Sequence, residues 1–139
     1  MKVLALDMGE KRIGLAVSDD EGLIAQPLDT HEYAGDRELL RFLQSFISEH
    51  GVEKIVIGLP VHMSGEERSG AKRVRALAGV MSSELNIPVD LWDERLSTVE
   101  AERLLVGAGV SRKKRKKKID NVAAALILQG YLDYMKNTG

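Results

Sequence analysis

The sequence contains no cysteine in 139 residues. Disulfides and thiolate metal sites are excluded, and the composition fits a reducing cytoplasm. No apolar run approaches the ~20 residues that a membrane-spanning helix needs. The opening run "VLALDMG" is too short for the apolar part of a signal peptide and is interrupted by Asp7. There is no His/Cys zinc spacing, no serine-triad signature and no Walker A pattern. No internal repeat or linker divides the chain. The expectation is a single domain over 1–139, soluble, cytoplasmic and without a membrane partner.

Hydrophobic residues make up 44% of the chain, enough for a core and too many for disorder. The net charge is −1, but the charges are unevenly placed. Seven of the 20 basic residues form one run, "RKKRKKK", and the other 13 stand against 21 acidic residues. An acidic body therefore carries one strongly positive segment.

Apolar runs at 3–7, 13–18 and 23–28, separated by glycine-containing turns, predict an antiparallel meander. Leu39, Leu40, Leu43, Phe46 and Ile47 recur at helical spacing, with Asp36 as N-cap and Gly51 as the stop. "KIVIGLP" reads as a strand buried on both faces. A second helix is expected over about 67–85, with Val74, Leu77, Ala78 and Met81 on its apolar stripe. A fifth strand follows over 88–92. Ser97 and Glu100 have capping-box spacing for a third helix ending near Gly107. The basic run reads as a loop before a final helix over about 119–136. The alternation of later strands with helices implies parallel strands and right-handed crossovers. The fold class is thus α/β: a mixed five-stranded sheet, meander first and parallel strands after, with helices on both faces. Ligands of such sheets lie beyond the carboxyl ends of the parallel strands.

Two carboxylates are expected at that end, and the final helix can bring a third to it. Asp7 closes the first strand, Glu94 follows the fifth within "DER", and Asp120 opens the last helix. Each alone has an ordinary explanation: a turn residue, a surface ion pair, a first-turn acid suited to the helix dipole. Brought together they would repel, and one would tend to stay protonated. Divalent cations remove that conflict, and Mg²⁺ and Mn²⁺ prefer oxygen ligands. Two such ions held by carboxylates are the usual device for phosphodiester cleavage. Ala123 and Ala124 would let the last helix approach the sheet closely. The basic run, Arg112, Lys113, Lys114, Arg115, Lys116, Lys117 and Lys118, lies next to Asp120 and suits a nucleic-acid backbone. Lys11 and Arg12 could assist it or be plain hairpin charges. Trp92 could stack on a base, but its strand position favours core packing. His62 lies in a loop and reads as a surface histidine, with His31 and His50 incidental.

Four segments resemble a known family. "LALDMGEKRIGLAVSD", "IVIGLPVHMSG", "DERLST" followed by Glu100 and Ala101, and "KKKIDNVAAALILQGYLD" are similar, in order, to the signature segments of the YqgF or RuvX-like family of Holliday junction resolvases. The resemblance covers nearly the whole chain. It implies an RNase H-like fold and a nuclease dependent on Mg²⁺ or Mn²⁺, with Asp7, Glu94 and Asp120 as metal ligands and catalytic residues. It also implies action on precursor ribosomal RNA, in 5′-end maturation of the small-subunit species, or on branched DNA. The chain would act as a monomer or weak homodimer. One departure lies at Val61 and His62, where leucine and asparagine are more usual. Two other classes remain open. "DMGEKRIG" resembles the phosphate loop of actin-like ATPases and sugar kinases, which use two such domains where this chain offers one. A non-catalytic RNA- or ribosome-binding module would use the basic segment alone.

Overall fold

In the computed structural model, residues 1–95 and 112–138 are described, with side chains for 1–95 and 122–136. Five strands form one sheet: β1 (Val3–Met8), β2 (Arg12–Ser18), β3 (Ala25–Glu32), β4 (Lys54–Leu59) and β5 (Val89–Asp93). Their order is β3-β2-β1-β4-β5. The β1–β2 and β2–β3 pairs are antiparallel, and β1–β4 and β4–β5 are parallel. The expected meander and parallel half are both present. Three helices accompany the sheet: α1 (Asp36–His50), α2 (Ser69–Leu85) and α3 (Arg112–Thr138). The helix expected over 97–107 lies outside the described residues.

Strand alternation sorts β1 between two cores. Leu4 and Leu6 pack with Leu39, Leu43, Val74, Leu77 and Met81 under α1 and α2. Val3 and Ala5 point the other way and pack with Ala16, Val56, Ala124, Ile127 and Leu128 under α3. Each fully buried leucine or isoleucine contributes about 1.5–3 kcal/mol relative to exposure. The α3 face is lined by smaller residues, so this helix sits close to the sheet.

Several boundaries differ from the sequence expectation. The third strand runs Ala25–Glu32, later than 23–28. It is an edge strand whose pairing is set by backbone bonds to β2, with a register shift between Ile13 and Leu15, so its polar side chains carry little signal. Gly35, not Asp36, is the N-cap of α1; Asp36 is its first residue and accepts a hydrogen bond from the Tyr33 hydroxyl at 2.6 Å. Gly51 does end the helix, in the left-handed conformation, its N–H donating to the Ile47 carbonyl at 2.9 Å. The largest correction concerns the basic run. It is the first part of α3 rather than a loop. Lysine and arginine are good helix formers, and no glycine or proline interrupts 112–118, so intrinsic propensity prevails over repulsion between like charges.

Candidate active site

Asp7 has the parity of Val3 and Ala5, so it faces the α3 side near the carboxyl end of β1. On one flank it pairs with Gly14 of β2. On the other, the parallel register advances from Leu6↔Ile57 by one step to set it level with Gly58 of β4. Glu94 follows β5 immediately, and its N–H donates to the Leu59 carbonyl at 3.2 Å, extending the ladder by one residue. Gly58 pairs with Trp92 on that side. The central strand thus contributes a bare backbone between two acidic neighbours.

That gap is filled. A Cβ at Gly58 would collide with the Glu94 carboxylate and would lie 2.6 Å from Ile127 Cδ1 of α3. The carboxylate lies across the glycine, and its side chain meets that of Asp7 in a hydrogen bond. Two acids from strands separated by a third are therefore in contact because the third has no side chain at that level.

Electrostatics follow from this packing. Burial first, then the charge and hydrogen bond of Asp7, then the charge of Asp93, push the Glu94 carboxyl up to about 8. All of these act in one direction, and none is a cation. The neighbouring arginine does not relieve the pair: Arg95 binds Asp93, at 2.6 Å through Nη2 and 2.8 Å through Nε. A shared proton is the way two carboxylates tolerate this proximity, and a hard divalent cation is the other. The donor set, carboxylate oxygens half-buried at the carboxyl end of a parallel sheet, fits Mg²⁺ or Mn²⁺ and does not suit a thiophilic metal.

The third expected ligand is placed by backbone alone. Tyr131 of α3 lies at the start of the parallel strands, against Asp90 and Lys54, while Ile127 lies over Gly58. The helix therefore runs, towards its N-terminus, in the direction of the strand carboxyl ends. Asp120 is seven residues before Ile127, about 10 Å along the axis, and one turn before buried Ala124. The basic run continues in the same direction. Among the described residues, no group of three metal-binding side chains is assembled; the side chain of Asp120 lies outside them.

Other candidates find ordinary places. Lys11 and Arg12 are exposed at the β1–β2 turn, which is closed by the Gly9 N–H donating to the Arg12 carbonyl at 3.0 Å. His62 is exposed and bonded to Ser64 Oγ at 2.9 Å. His31 is not incidental: it stacks on Phe42 at 3.9 Å and bonds Glu38 at 2.7 Å, fastening β3 to α1. Trp92 packs in the α3-side core, edge-on to Tyr131 and against Gly130. Gly14 and Gly58 were missed as site residues. The repeated "IGL" in β2 and β4, a glycine inside an otherwise apolar strand, was their available signal.

Comparison with known proteins identifies the family and the fold. A Geobacillus kaustophilus protein named "Putative pre-16S rRNA nuclease" is 50% identical over 136 residues, covering 96% of this chain and 98% of its own length. A protein of the same name from Pelotomaculum thermopropionicum is 46% identical over 134 residues, covering 96% of this chain and 87% of its own. Among solved structures, T. thermophilus RuvC in complex with Holliday junction substrate has a TM-score of 0.61 at 16% identity, covering 100% of this chain and 98% of that one. At that identity the likeness shows the fold, which is RNase H-like. The family described as "RuvX: Holliday junction resolvase" matches residues 1–134, and this chain belongs to it.

Proposed function

We propose that this chain is a nuclease dependent on Mg²⁺ or Mn²⁺ that hydrolyses phosphodiester bonds of structured RNA, with the precursor of small-subunit ribosomal RNA as substrate. The observation that carries this reading is the Asp7–Glu94 contact across Gly58. Two acids are held in a place that favours a proton or a cation, at the end of the sheet where such folds bind ligands. The names of the relatives supply the substrate class. A cytoplasmic setting follows from that substrate, and the chain acts as a monomer or weak homodimer. Among the described residues, no helix is long and apolar enough to cross a membrane.

Asp7, Glu94 and Asp120 would hold the cation. When bound, it would polarise the phosphoryl oxygens and make water a better nucleophile at neutral pH. Asp7 is positioned by the backbone of β1, which is paired with Gly14 of β2. With its carboxyl pushed up to about 8, Glu94 would give up a proton on holding the cation, so cation affinity should rise with pH across neutrality. Arg112, Lys113, Lys114, Arg115, Lys116, Lys117 and Lys118 bind the phosphate backbone without reading its sequence, and Lys11 and Arg12 border the same end of the sheet.

A second substrate reading, branched DNA, is favoured by the description of the matching family. One experiment addresses both. Labelled precursor ribosomal RNA and a four-way DNA junction are incubated with Mg²⁺ or Mn²⁺ and either wild-type protein or Asp7→Asn. Metal-dependent cutting that disappears in the variant is expected, and the preferred substrate chooses between the two. Wild-type protein that binds both nucleic acids and cuts neither would point instead to a binding module.

A further inference from the structure

Arg73 of α2 differs from its neighbours in what holds it. Arg75 makes a two-pronged pair with Glu67, at 2.5 and 2.7 Å. Arg95 is taken up by Asp93. Arg73 is half-buried, and among the described residues no carboxylate forms an ion pair with it. Its guanidinium lies over the Tyr33 ring, 4.8 Å from the centroid, and Nη1 reaches the Gly9 carbonyl at a long 3.4 Å. Tyr33 is itself fixed, by its hydroxyl to Asp36 at 2.6 Å and by its N–H to the Lys11 carbonyl at 2.9 Å.

A guanidinium has five N–H donors. Among the described residues, one long bond to the Gly9 carbonyl and a hydrogen bond to the Tyr33 hydroxyl leave several of them unspent. Tyr33 orients the fork through its ring and its hydroxyl, and arginine tolerates such a half-buried position because its charge is weakly hydrated. The result is a fixed, positive, donor-rich group. Its location is informative. Gly9 is two residues past Asp7, about 7 Å of extended chain. A strand whose scissile phosphate sat at Asp7 would bring a phosphate one or two nucleotides away into this range. Arg73 also approaches from α2, on the opposite face of the sheet from α3 and its basic run.

We propose that Arg73, oriented by Tyr33 and the Gly9 turn, is a binding subsite for a backbone phosphate of the nucleic acid. The strand then crosses the end of the sheet, from the basic part of α3, past the carboxylates, to α2. The proposal rests on the nuclease reading above and extends it to the path of the substrate. Arginine matches a phosphate with paired N–H groups, which lysine cannot reproduce.

The test is binding of a fluorescein-labelled RNA hairpin in EDTA, followed by anisotropy over a range of NaCl concentrations. Arg73→Gln keeps a donor for the Gly9 carbonyl and removes the charge. It should lower affinity by several-fold and reduce the salt slope by about 0.7–0.9, the share of one phosphate contact. Arg73→Lys keeps the charge, and should retain the slope while binding several-fold more weakly. If Arg73 merely clamps the turn, Arg73→Gln lowers the melting temperature and leaves the slope at the wild-type value, which overturns the proposal. Should Arg73→Gln fail to fold, unchanged affinity in Arg73→Lys overturns it equally. Lys116→Gln serves as the separate control: a slope reduced there but not at Arg73 removes the subsite and leaves the nuclease reading standing. Wild-type protein that binds no nucleic acid removes both.

Discussion

Asp90 and Glu94 are four residues apart, lie on the same side of the sheet and lie under the same helix, yet their carboxyl groups are driven in opposite directions. Asp90 accepts the Tyr131 hydroxyl at 2.5 Å and pairs with Lys54 at 3.0 Å. The Tyr131 bond, and after it Lys54, hold its pKa below the usual carboxylate value despite partial burial. Glu94 meets burial and a second acid instead, and is pushed up to about 8. One end of β5 is electrostatically complete and the other is not. A carboxylate with a hydroxyl and an ammonium to hand is explained by stability. A carboxylate whose described surroundings all oppose its charge is a candidate for holding a ligand, and this contrast within one strand supports the proposed site more sharply than either residue alone.

The largest expected effect is at the unbalanced end. Asp7→Asn should reduce metal-dependent cleavage by more than about 100-fold, since even groups behind the ligands cost 10–100-fold. The same variant should melt at higher temperature than wild type in EDTA at pH 8, because the charge opposing Glu94 is gone. An active Asp7→Asn would break the assignment. Gly58→Ala comes next. The added methyl forces the Glu94 carboxylate or Ile127 to move. About 1–3 kcal/mol of stability should be lost, together with at least tenfold in metal affinity measured by calorimetry. Wild-type metal affinity in this variant would show that the close fit is incidental.

The pH dependence sharpens the comparison. Glu94 ionises near 4.5 when unfolded and near 8 when folded. Between those values the native state keeps a proton that the unfolded chain has lost, so stability in EDTA should fall as pH rises from about 5 to 8 and then level. Asp90 has the opposite sign: its stabilisation is present above pH 3.8 and is lost as pH falls through its lowered native value. Thermal melts of Glu94→Gln should lack the first slope and keep the second. The smallest effect is Asp90→Asn at pH 7. Its side chain is 45% exposed, so the ion pair is largely screened and the cost should be about 1 kcal/mol, a few degrees in melting temperature, with cleavage unchanged.

Much of this was legible in the residues. The change from alternating to helical spacing separates meander from crossover units, and the strand ends place Asp7 and Glu94 at one pole of the sheet. The mutual repulsion of the carboxylates was also foreseeable from their convergence. What was not legible depended on neighbours distant in sequence. Gly58 looked like an ordinary strand residue until Glu94 was found lying across it. Arg73 looked like any exposed helix cation, since nothing local says that Tyr33 lies beneath it. The basic run reads as a loop because it follows a glycine-containing stretch and has no apolar periodicity, yet helix propensity alone carries the last helix through it. Edge strand β3 was displaced because polar side chains on an edge leave the backbone to set the pairing.

Gln129 of α3 accepts the Ala25 N–H at 2.9 Å and donates to the Leu23 carbonyl at 2.9 Å, bonds that span 104 and 106 residues of chain. The inner face of β1 and β2 therefore has no cover until the last helix arrives. During synthesis on the ribosome, the hairpin that carries Asp7 emerges early but stays wet on that face, and folding must wait for contacts of very long sequence separation. The face of the sheet that carries Asp7 is consequently closed only after the last helix has been made, and on the proposed reading the site waits for Asp120 until then.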